Sequence, residues 1–437
     1  MSLAHRLIPF FFRKNNIKAL SIWSIAAFFY GYEFFLRASP SVMQAQLQKD
    51  LMLDAEGLGF IVSLYYWAYA SMQVPAGMLI DRFGPKNILT VAAVICSVSI
   101  WAFGMATEPI VAGIARFMIG FGSAFAIIGT FKLAGNWFPS SQFAFFAGFT
   151  LTFGTIGATL ANTPLEILVN WIGWRMSLFT LCGIGLLNAF ALWFFVKDHP
   201  SSQKVEAVDH PKKDENSGKV WKTFKEVILN SQSWYIGAFA AFIYIPITCF
   251  GELWGFPFIM KSCSYEGTKA SFLISLIFIG ITGGAPLFGW LSDAWKRRKI
   301  PLFIGTFGSL VSISIAIYVP DLSFAFMAFL MIFLGICLGS HMILFALIRE
   351  NNPPNASAIA SGFGNFVCMI VPGVIQYLIG VSLDFLNKGT VTTAEKVYSL
   401  SSYKISLLFI PIGLVLAAIC LAFSRETYAQ QVDKRRL

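Results

Sequence analysis

The stretch GMLIDRFGPK, residues 77–86, follows an apolar run of helical length and decides the fold. A second stretch, GWLSDAWKRR, residues 289–298, follows another apolar run in the second part of the chain. In both, an Asp stands four positions after a Gly and a cation nine positions after it. Two copies at equivalent helix ends indicate that the chain contains an internal repeat.

The composition around these stretches is that of a membrane protein. The chain has 437 residues, of which 57% are hydrophobic and 12% charged, whereas about 25% charged residues are usual in a soluble domain. The apolar residues come in runs of about 20, the length that crosses the hydrocarbon core of a bilayer. The sequence predicts an all-α membrane protein with twelve transmembrane helices near residues 17–45, 57–80, 87–106, 109–133, 143–169, 176–196, 233–260, 268–292, 300–319, 322–348, 355–380 and 401–424.

The predicted helices divide into two sets of six. Residues 1–196 form the first set and residues 233–437 the second, and the polar stretch 197–232 between them reads as a cytoplasmic central loop. Because the two signature stretches stand at equivalent places, we expect two pseudo-symmetric six-helix bundles with a site between them, a recurring plan among transporters.

The distribution of positive charge predicts the orientation. Placing the N-terminus inside puts both signature stretches, the central loop, both termini and most of the 32 Lys and Arg residues on the cytoplasmic side, as the positive-inside rule requires. We therefore expect a multi-pass protein of the inner (cytoplasmic) membrane with both termini in the cytoplasm. The net charge of +10 is explained by topology and anionic headgroups, so no nucleic-acid partner is predicted. Residues 1–16 suggest a short amphipathic lead-in helix rather than a removable signal peptide.

The motifs resemble those of the major facilitator superfamily. Residues 77–86 match its signature G-x-L-x-D-R-x-G-x-K/R throughout, whereas residues 289–298 lack the Arg after Asp293 and the second Gly. The stretch from Arg116 to Gly120 is similar to the R-x-x-x-G element of that family. The resemblance implies a two-bundle secondary transporter that works by alternating access.

The signature supplies candidate gating residues. A carboxylate at a helix end accepts hydrogen bonds from a helix N-terminus, and such a contact can be made in one state and broken in another. The resemblance implies that Asp81 and Arg82 latch the cytoplasmic side when the carrier faces outward. A solvated turn that only anchors the topology is the alternative. The full set of gating candidates is Asp81, Arg82, Lys86, Arg116, Asp293 and Arg298.

Charged residues inside apolar runs are costly and therefore candidates for function. Glu33 and Arg37 are four apart on one helical face and able to pair. The planar fork of Arg37 suits a substrate carboxylate or phosphate, with Glu33 as its partner in the empty state; a self-satisfied ion pair is the alternative. The predicted substrate contacts are Arg37, Tyr30, Tyr66, Tyr244 and Asn365.

Proton coupling requires a group whose proton affinity changes as a cavity opens. Glu33 is the first candidate, Glu252 the second, and His341 the third, since a lone His in an apolar helix more often serves packing. The region of Arg37 looks like that of the organic-anion branches of the family. The helix-four carboxylate expected there is absent, with Ser123 or Ala124 in its place.

Other function classes leave no motif in the sequence. No nucleotide-binding G-x-x-x-x-G-K-S/T, no catalytic triad and no G-P-x-x-G-G run of drug antiporters occurs. The seven cysteines are scattered, so no metal or cofactor is predicted. We expect a non-enzymatic, proton-coupled symporter, acting as a monomer, for a small organic anion or zwitterion such as a carboxylate, amino acid, short peptide or phosphorylated metabolite. An exporter or uniporter of a metabolite or siderophore, and a membrane sensor, are the alternatives.

Overall fold

A computed structural model describes residues 14–200, 213–387 and 398–431, and these residues are almost entirely helical. We call residues 14–200 the N-terminal half and residues 213–431 the C-terminal half. The helices of the N-terminal half are α1 (Lys14–Ala38), α2 (Gln44–Asp50), α3 (Ala55–Ser71), α4 (Gln73–Phe83), α5 (Pro85–Met105), α6 (Pro109–Trp137), α7 (Ser140–Leu160), α8 (Thr163–Ile172) and α9 (Trp174–Phe195).

The C-terminal half begins within the predicted central loop. Its helices are α10 (Lys213–Leu229), α11 (Ser231–Ile245), α12 (Gly255–Cys263), α13 (Gly267–Trp295), α14 (Lys299–Tyr318), α15 (Phe324–Leu338), α16 (Leu344–Glu350), α17 (Ser357–Leu386), α18 (Leu400–Ser406) and α19 (Phe409–Phe423). Thus the segment 197–232, predicted as a loop, contains the helix α10. The predicted lead-in helix before residue 14 and the basic residues 434–436 lie outside the described residues.

Ten helical segments of the described chain are long and apolar enough to cross a membrane. They are Ile17–Asp50, Pro85–Met105, Pro109–Trp137, Trp174–Phe195, Ser231–Cys263, Gly267–Trp295, Lys299–Tyr318, Phe324–Glu350, Ser357–Leu386 and Leu400–Phe423. The second and fifth predicted spans are helical as α3–α4 and α7, but α3 ends after 17 residues and α7 is rich in Ser and Thr. A count of twelve spans therefore stays a prediction.

The largest contacts between the two halves are those of α3 with α17 and of α7 with α13. Helices α3 and α17 approach most closely where glycines remove the side chain. A Cβ at Gly59 would lie 3.1 Å from the carbonyl oxygen of Gln376, and a Cβ at Gly380 would overlap the backbone of Ala55. The hydroxyl of Ser63 also donates to the carbonyl of Gly373 at 2.7 Å.

Toward the other end of the molecule, α17 is joined to α4, which follows α3, by the hydrogen bond from Asn365 to Gln73. Among the described residues, a Cβ built at Gly77 or Gly362 would meet no atom within 4 Å. We call the end of the molecule that holds Asp81 and Asp293 the Asp81 end, and the opposite end, which holds Ala55 and Asp384, the Asp384 end. Hydrogen bonds and close helix contacts join the halves at the Asp384 end, whereas Gly77 and Gly362 at the Asp81 end have open space beside them.

Candidate functional site

An irregular helix places Glu252 in the middle of the molecule. After α11 the chain forms a π-helix over Pro246–Trp254 before α12 begins. Pro246 has no backbone N–H to continue the α-helical ladder, and single-turn π segments are frequent at functional sites. Glu252 lies in this segment, fully buried, and faces the N-terminal half, where it contacts Arg37.

Arg37 reaches across the interface to this segment. Its Nε lies 3.1 Å from Oε1 of Glu252, an ion pair between two buried side chains, and its Nη2 donates to the hydroxyl of Tyr244 at 3.2 Å. The hydroxyl of Tyr66 donates to the other Glu252 oxygen. The ring of Phe34 covers the guanidinium at 3.7 Å. The spacing in the sequence suggested an ion pair between Arg37 and Glu33 of the same helix. In the structure Arg37 pairs instead with Glu252 of the other half.

Glu33 lies behind this pair, fully buried in the N-terminal half. The hydroxyl of Tyr65 donates to its Oε2 at 2.6 Å, while its Oε1 has no hydrogen-bond partner among the described residues. Buried carboxyl oxygens without partners are costly when charged.

Arg116 binds the C-terminal end of α1. It donates to the carbonyl of Leu36 at 2.9 Å and to that of Arg37 at 3.3 Å, and it lies over the ring of Tyr65 at 5.1 Å. These contacts satisfy carbonyls at a helix C-terminus, which attracts cations. The structure gives Arg116, predicted for gating, contacts with the backbone at Arg37 rather than with the signature stretches.

A cavity of about 470 Å³ lies between the halves beside Arg37. Tyr30, Phe34, Tyr244 and His341 line it together with aromatic and aliphatic residues of α7 and α13. Arg37 is not among the residues that line the cavity, but Phe34 and Tyr244, which do line it, both contact the Arg37 guanidinium.

Two further predicted residues, His341 and Asn365, differ in whether they line this cavity. His341 stands in a 3₁₀ turn after α15, its Nδ1 2.7 Å from the carbonyl of Leu338. A carbonyl only accepts, so Nδ1 carries the proton of this bond. Asn365 is not among the cavity-lining residues, but it donates to Gln73 at 2.6 Å and so joins the two halves. Sequence reasoning missed Gln73 as the partner because only the fold brings them together.

The first signature stretch forms a corner at the Asp81 end. Asp81 accepts from Lys132 of α6 at 2.8 Å, and both side chains are largely exposed. Gly84 adopts φ 81°, a conformation favoured only by glycine, and lets Asp198 approach to accept the Lys86 N–H at 2.7 Å. The Arg82 guanidinium lies over the ring of Phe83 at 5.1 Å.

The second signature stretch forms a corner that holds more ion pairs and hydrogen bonds than the first. Arg298 pairs with Asp293 at 2.6 Å and with Glu350 at 2.7 Å, and Glu426 accepts the N–H groups of Arg298 and Lys299. Burial lowers the pKa of Arg298, but hydrogen bonds to Glu350 and Asp293 outweigh it and raise that pKa above its usual value. Glu426 thus caps α14 as Asp198 caps α5, an equivalence that supports the predicted repeat.

Comparisons with known proteins agree with this architecture. The chain is 24% identical over 406 residues to a probable galactarate/D-glucarate transporter of Bacillus subtilis, covering 84% of this chain and 87% of that one. It is 26% identical over 395 residues to a probable hexose phosphate transport protein of Chlamydia muridarum, covering 83% and 86%. Its fold is similar to the crystal structure of a D-xylose-proton symporter, with a TM-score of 0.72, 15% identity and coverage of 95% and 100%.

The family assignment rests on most of the chain. Residues 23–375 match the Major Facilitator Superfamily, as the signature stretch predicted. The protein is therefore a multi-pass membrane transporter and not an enzyme. The chain belongs to the Major Facilitator Superfamily.

Proposed function

We propose that this chain is a secondary carrier that moves a small organic anion or zwitterion across the bacterial cytoplasmic membrane by alternating access, coupled to protons. One observation carries the proposal: the buried Arg37, at the interface of the halves and beside the cavity, is neutralised by Glu252 of the opposite half. An arginine whose counter-ion belongs to the other half can exchange that ion for a substrate anion as the halves move.

The relatives support the anionic class of substrate. Galactarate and D-glucarate carry carboxylates, and a hexose phosphate carries a phosphate. Both groups present paired oxygens that the guanidinium fork binds through two parallel hydrogen bonds. Arg37 is the residue proposed to bind them, with Tyr30, Tyr66, Tyr244 and Asn365 as further contacts.

The carboxylates near Arg37 support the proton coupling. When an anion takes the place of Glu252 on Arg37, both nearby carboxylates lose the cation as a close partner, and Glu33 already has an oxygen, Oε1, without a hydrogen-bond partner among the described residues; either carboxylate can then exchange a proton. Glu33 is the first residue proposed to exchange protons, followed by Glu252 and His341. The carrier is proposed to act as a monomer with both termini in the cytoplasm, so that the separated Asp81 end faces inward.

Transport by reconstituted vesicles tests the proposal. With an inward proton gradient, we expect accumulation of at least one of galactarate, hexose 6-phosphate or an amino acid, and none of a neutral hexose. Accumulation of the neutral hexose alone would contradict the anion site. Counterflow without gradient-driven accumulation would instead favour a uniporter.

A conservative substitution tests the role of Arg37. Arg37→Lys keeps the charge but loses the planar fork, so we expect anion affinity to fall by about tenfold or more. The matched control is Arg175→Lys, because Arg175 binds the carbonyls of Gly104 and Ala106 within one half, away from the cavity. Unchanged affinity in Arg37→Lys rules out the proposed clamp.

A further inference from the structure

We propose that Asp384 and Tyr398 of the C-terminal half form an outer latch that clasps the N-terminus of α3 and holds the carrier closed to the outside. No residue of this latch was singled out from the sequence. The inference rests on the alternating access of the proposed function and adds to it the residues that close the outer side.

The latch consists of hydrogen bonds from one half to the other. Asp384 Oδ2 accepts the backbone N–H of Glu56 at 2.7 Å, and the hydroxyl of Tyr398 accepts the N–H of Ala55 at 2.8 Å. The same hydroxyl donates to Asp384 Oδ1 at 2.7 Å. Two N–H groups of the first turn of α3, which have no partner within their own helix, are thus bound by a carboxylate and a phenol of the other half.

The contact joins the Asp384 carboxylate to the N-terminus of α3, and the charges of the two attract each other. The N-terminus of a helix carries a partial positive charge, and an anion placed there is stabilising. Burial and the hydrogen bond to the Asp384 carboxylate raise the pKa of Tyr398, so the phenol keeps the proton that it donates. Tyr377 of α17 adds a bond from its hydroxyl to Glu56 at 2.9 Å.

The latch differs from an ordinary helix cap in the origin of its acceptors. The cap of α3 that comes from its own half is Asp54, which accepts the N–H of Gly57 at 2.8 Å. Asp384 and Tyr398 cannot keep their contacts if the halves part at this end, because α3 and α17 belong to different halves. Their bonds therefore contribute to the closed state and not to the folding of the N-terminal half.

The latch has a counterpart at the other end of the same helix pair. Helices α3–α4 and α17 run antiparallel, so Asp81, in the last turns of α4, stands on the side where α17 begins. In this structure the Asp81 side chain is 65% exposed and bound to Lys132 of its own half. Asp384, near the C-terminal end of α17, thus contacts the N-terminus of α3, whereas Asp81, near the C-terminal end of α4, is bound within its own half.

Distance measurements between spin labels test the latch without any substrate. We would replace the seven native cysteines and label Trp171 with Phe324 at the outer end, and Phe83 with Ile300 at the inner end, all exposed side chains. In Asp384→Asn and in Tyr398→Phe we expect the outer distance to lengthen and the inner distance to shorten. Loss of one such contact should change the ratio of the two states by about 3- to 30-fold.

Asp50→Asn is the matched control. Asp50 is an outer carboxylate that binds Trp174 at 2.9 Å and Arg175 at 3.7 Å, both in its own half, so its loss should leave both distances unchanged. Unchanged distances in both latch variants overturn the latch, as does an equal shift in the control. Tyr398→Phe keeps the packed ring, which preserves the test if Asp384→Asn does not fold. If the latch variants leave both distances unchanged but anion uptake is normal, the latch is wrong and the proposed function stands. If the distances shift but the protein transports a neutral hexose, the latch stands and only the proposed substrate class is contradicted.

Discussion

Arg37 and Glu252 form an ion pair across the interface of the two halves, with Nε and Oε1 3.1 Å apart and both side chains buried. The contact lacks hydrogen-bond geometry at these two atoms, so the pair is held by charge more than by directed bonds. A buried pair of this kind has a large desolvation cost. In the proposed mechanism, an incoming substrate anion replaces this carboxylate on Arg37.

The first prediction concerns Glu252 as a competitor of the substrate. In Glu252→Gln, Arg37 no longer has its counter-ion, so a substrate anion should bind about tenfold more tightly. Binding measured by calorimetry on detergent-purified protein checks this. Asp50→Asn is the control, because it also removes a carboxylate, but one that binds Trp174 and Arg175 within one half and away from Arg37. Weaker anion binding in Glu252→Gln would mean that Glu252 helps to hold the substrate.

The second prediction concerns Glu33 as the proton-coupling residue. Glu33→Gln should abolish acid-driven accumulation and spare counterflow, since the amide cannot exchange a proton but still accepts from Tyr65. Uptake by vesicles with and without a proton gradient separates the two activities. Tyr65→Phe keeps the carboxyl and should retain coupling. Normal acid-driven accumulation in Glu33→Gln would transfer the role to Glu252.

The third prediction uses a glycine at the contact of the halves. In Gly380→Ala the new methyl would overlap the backbone of Ala55 in the other half, so the Asp384 end should close less readily and the outward-open population should rise. Gly120→Ala is the comparison, because its methyl would overlap the backbone of Tyr65 in the same half. We expect a lower melting temperature for Gly120→Ala and a change of the spin-label distances for Gly380→Ala. The reverse pattern would contradict this view of the interface.

The fourth prediction compares the two signature corners. The Arg298 side chain is 11% exposed and its partner Glu350 is 15% exposed, whereas Lys132 and Asp81 are 45% and 65% exposed. Arg298→Ala should lower the free energy of unfolding by about 3 kcal/mol, because it leaves the largely buried carboxylate of Glu350 without its cation. Lys132→Ala should cost less than about 1 kcal/mol, as exposed ion pairs do. Denaturant unfolding in detergent measures both, and equal losses would show that burial does not separate the corners.

The sequence predicted the fold family from local features. The signature of residues 77–86 combines a glycine that needs positive φ with an Asp and a cation at a helix end, and these requirements are met within ten residues. The membrane class followed from composition, because apolar runs of spanning length are stable only in lipid. The relation of the two signature stretches likewise needed only their spacing.

The sequence did not predict where helices break or that the central loop contains a helix. The helix α3 and its continuation α4 are separated at Met72, and α10 lies within the segment predicted as a loop. Helix ends and breaks depend on neighbouring segments as well as on local propensity.

What the sequence alone determined is therefore the class of molecule and the small set of charged residues that its interior contains, Glu33, Arg37, Arg116 and Glu252 among them. Only the tertiary structure decided which of them meet. Helical periodicity allowed Arg37 to pair with Glu33, but the π-helix at Glu252 and the packing of the halves brought a nearer partner from the other half. In a low-dielectric interior the energy of such a pair depends steeply on distance, and distances between helices are set by the packing of the whole chain.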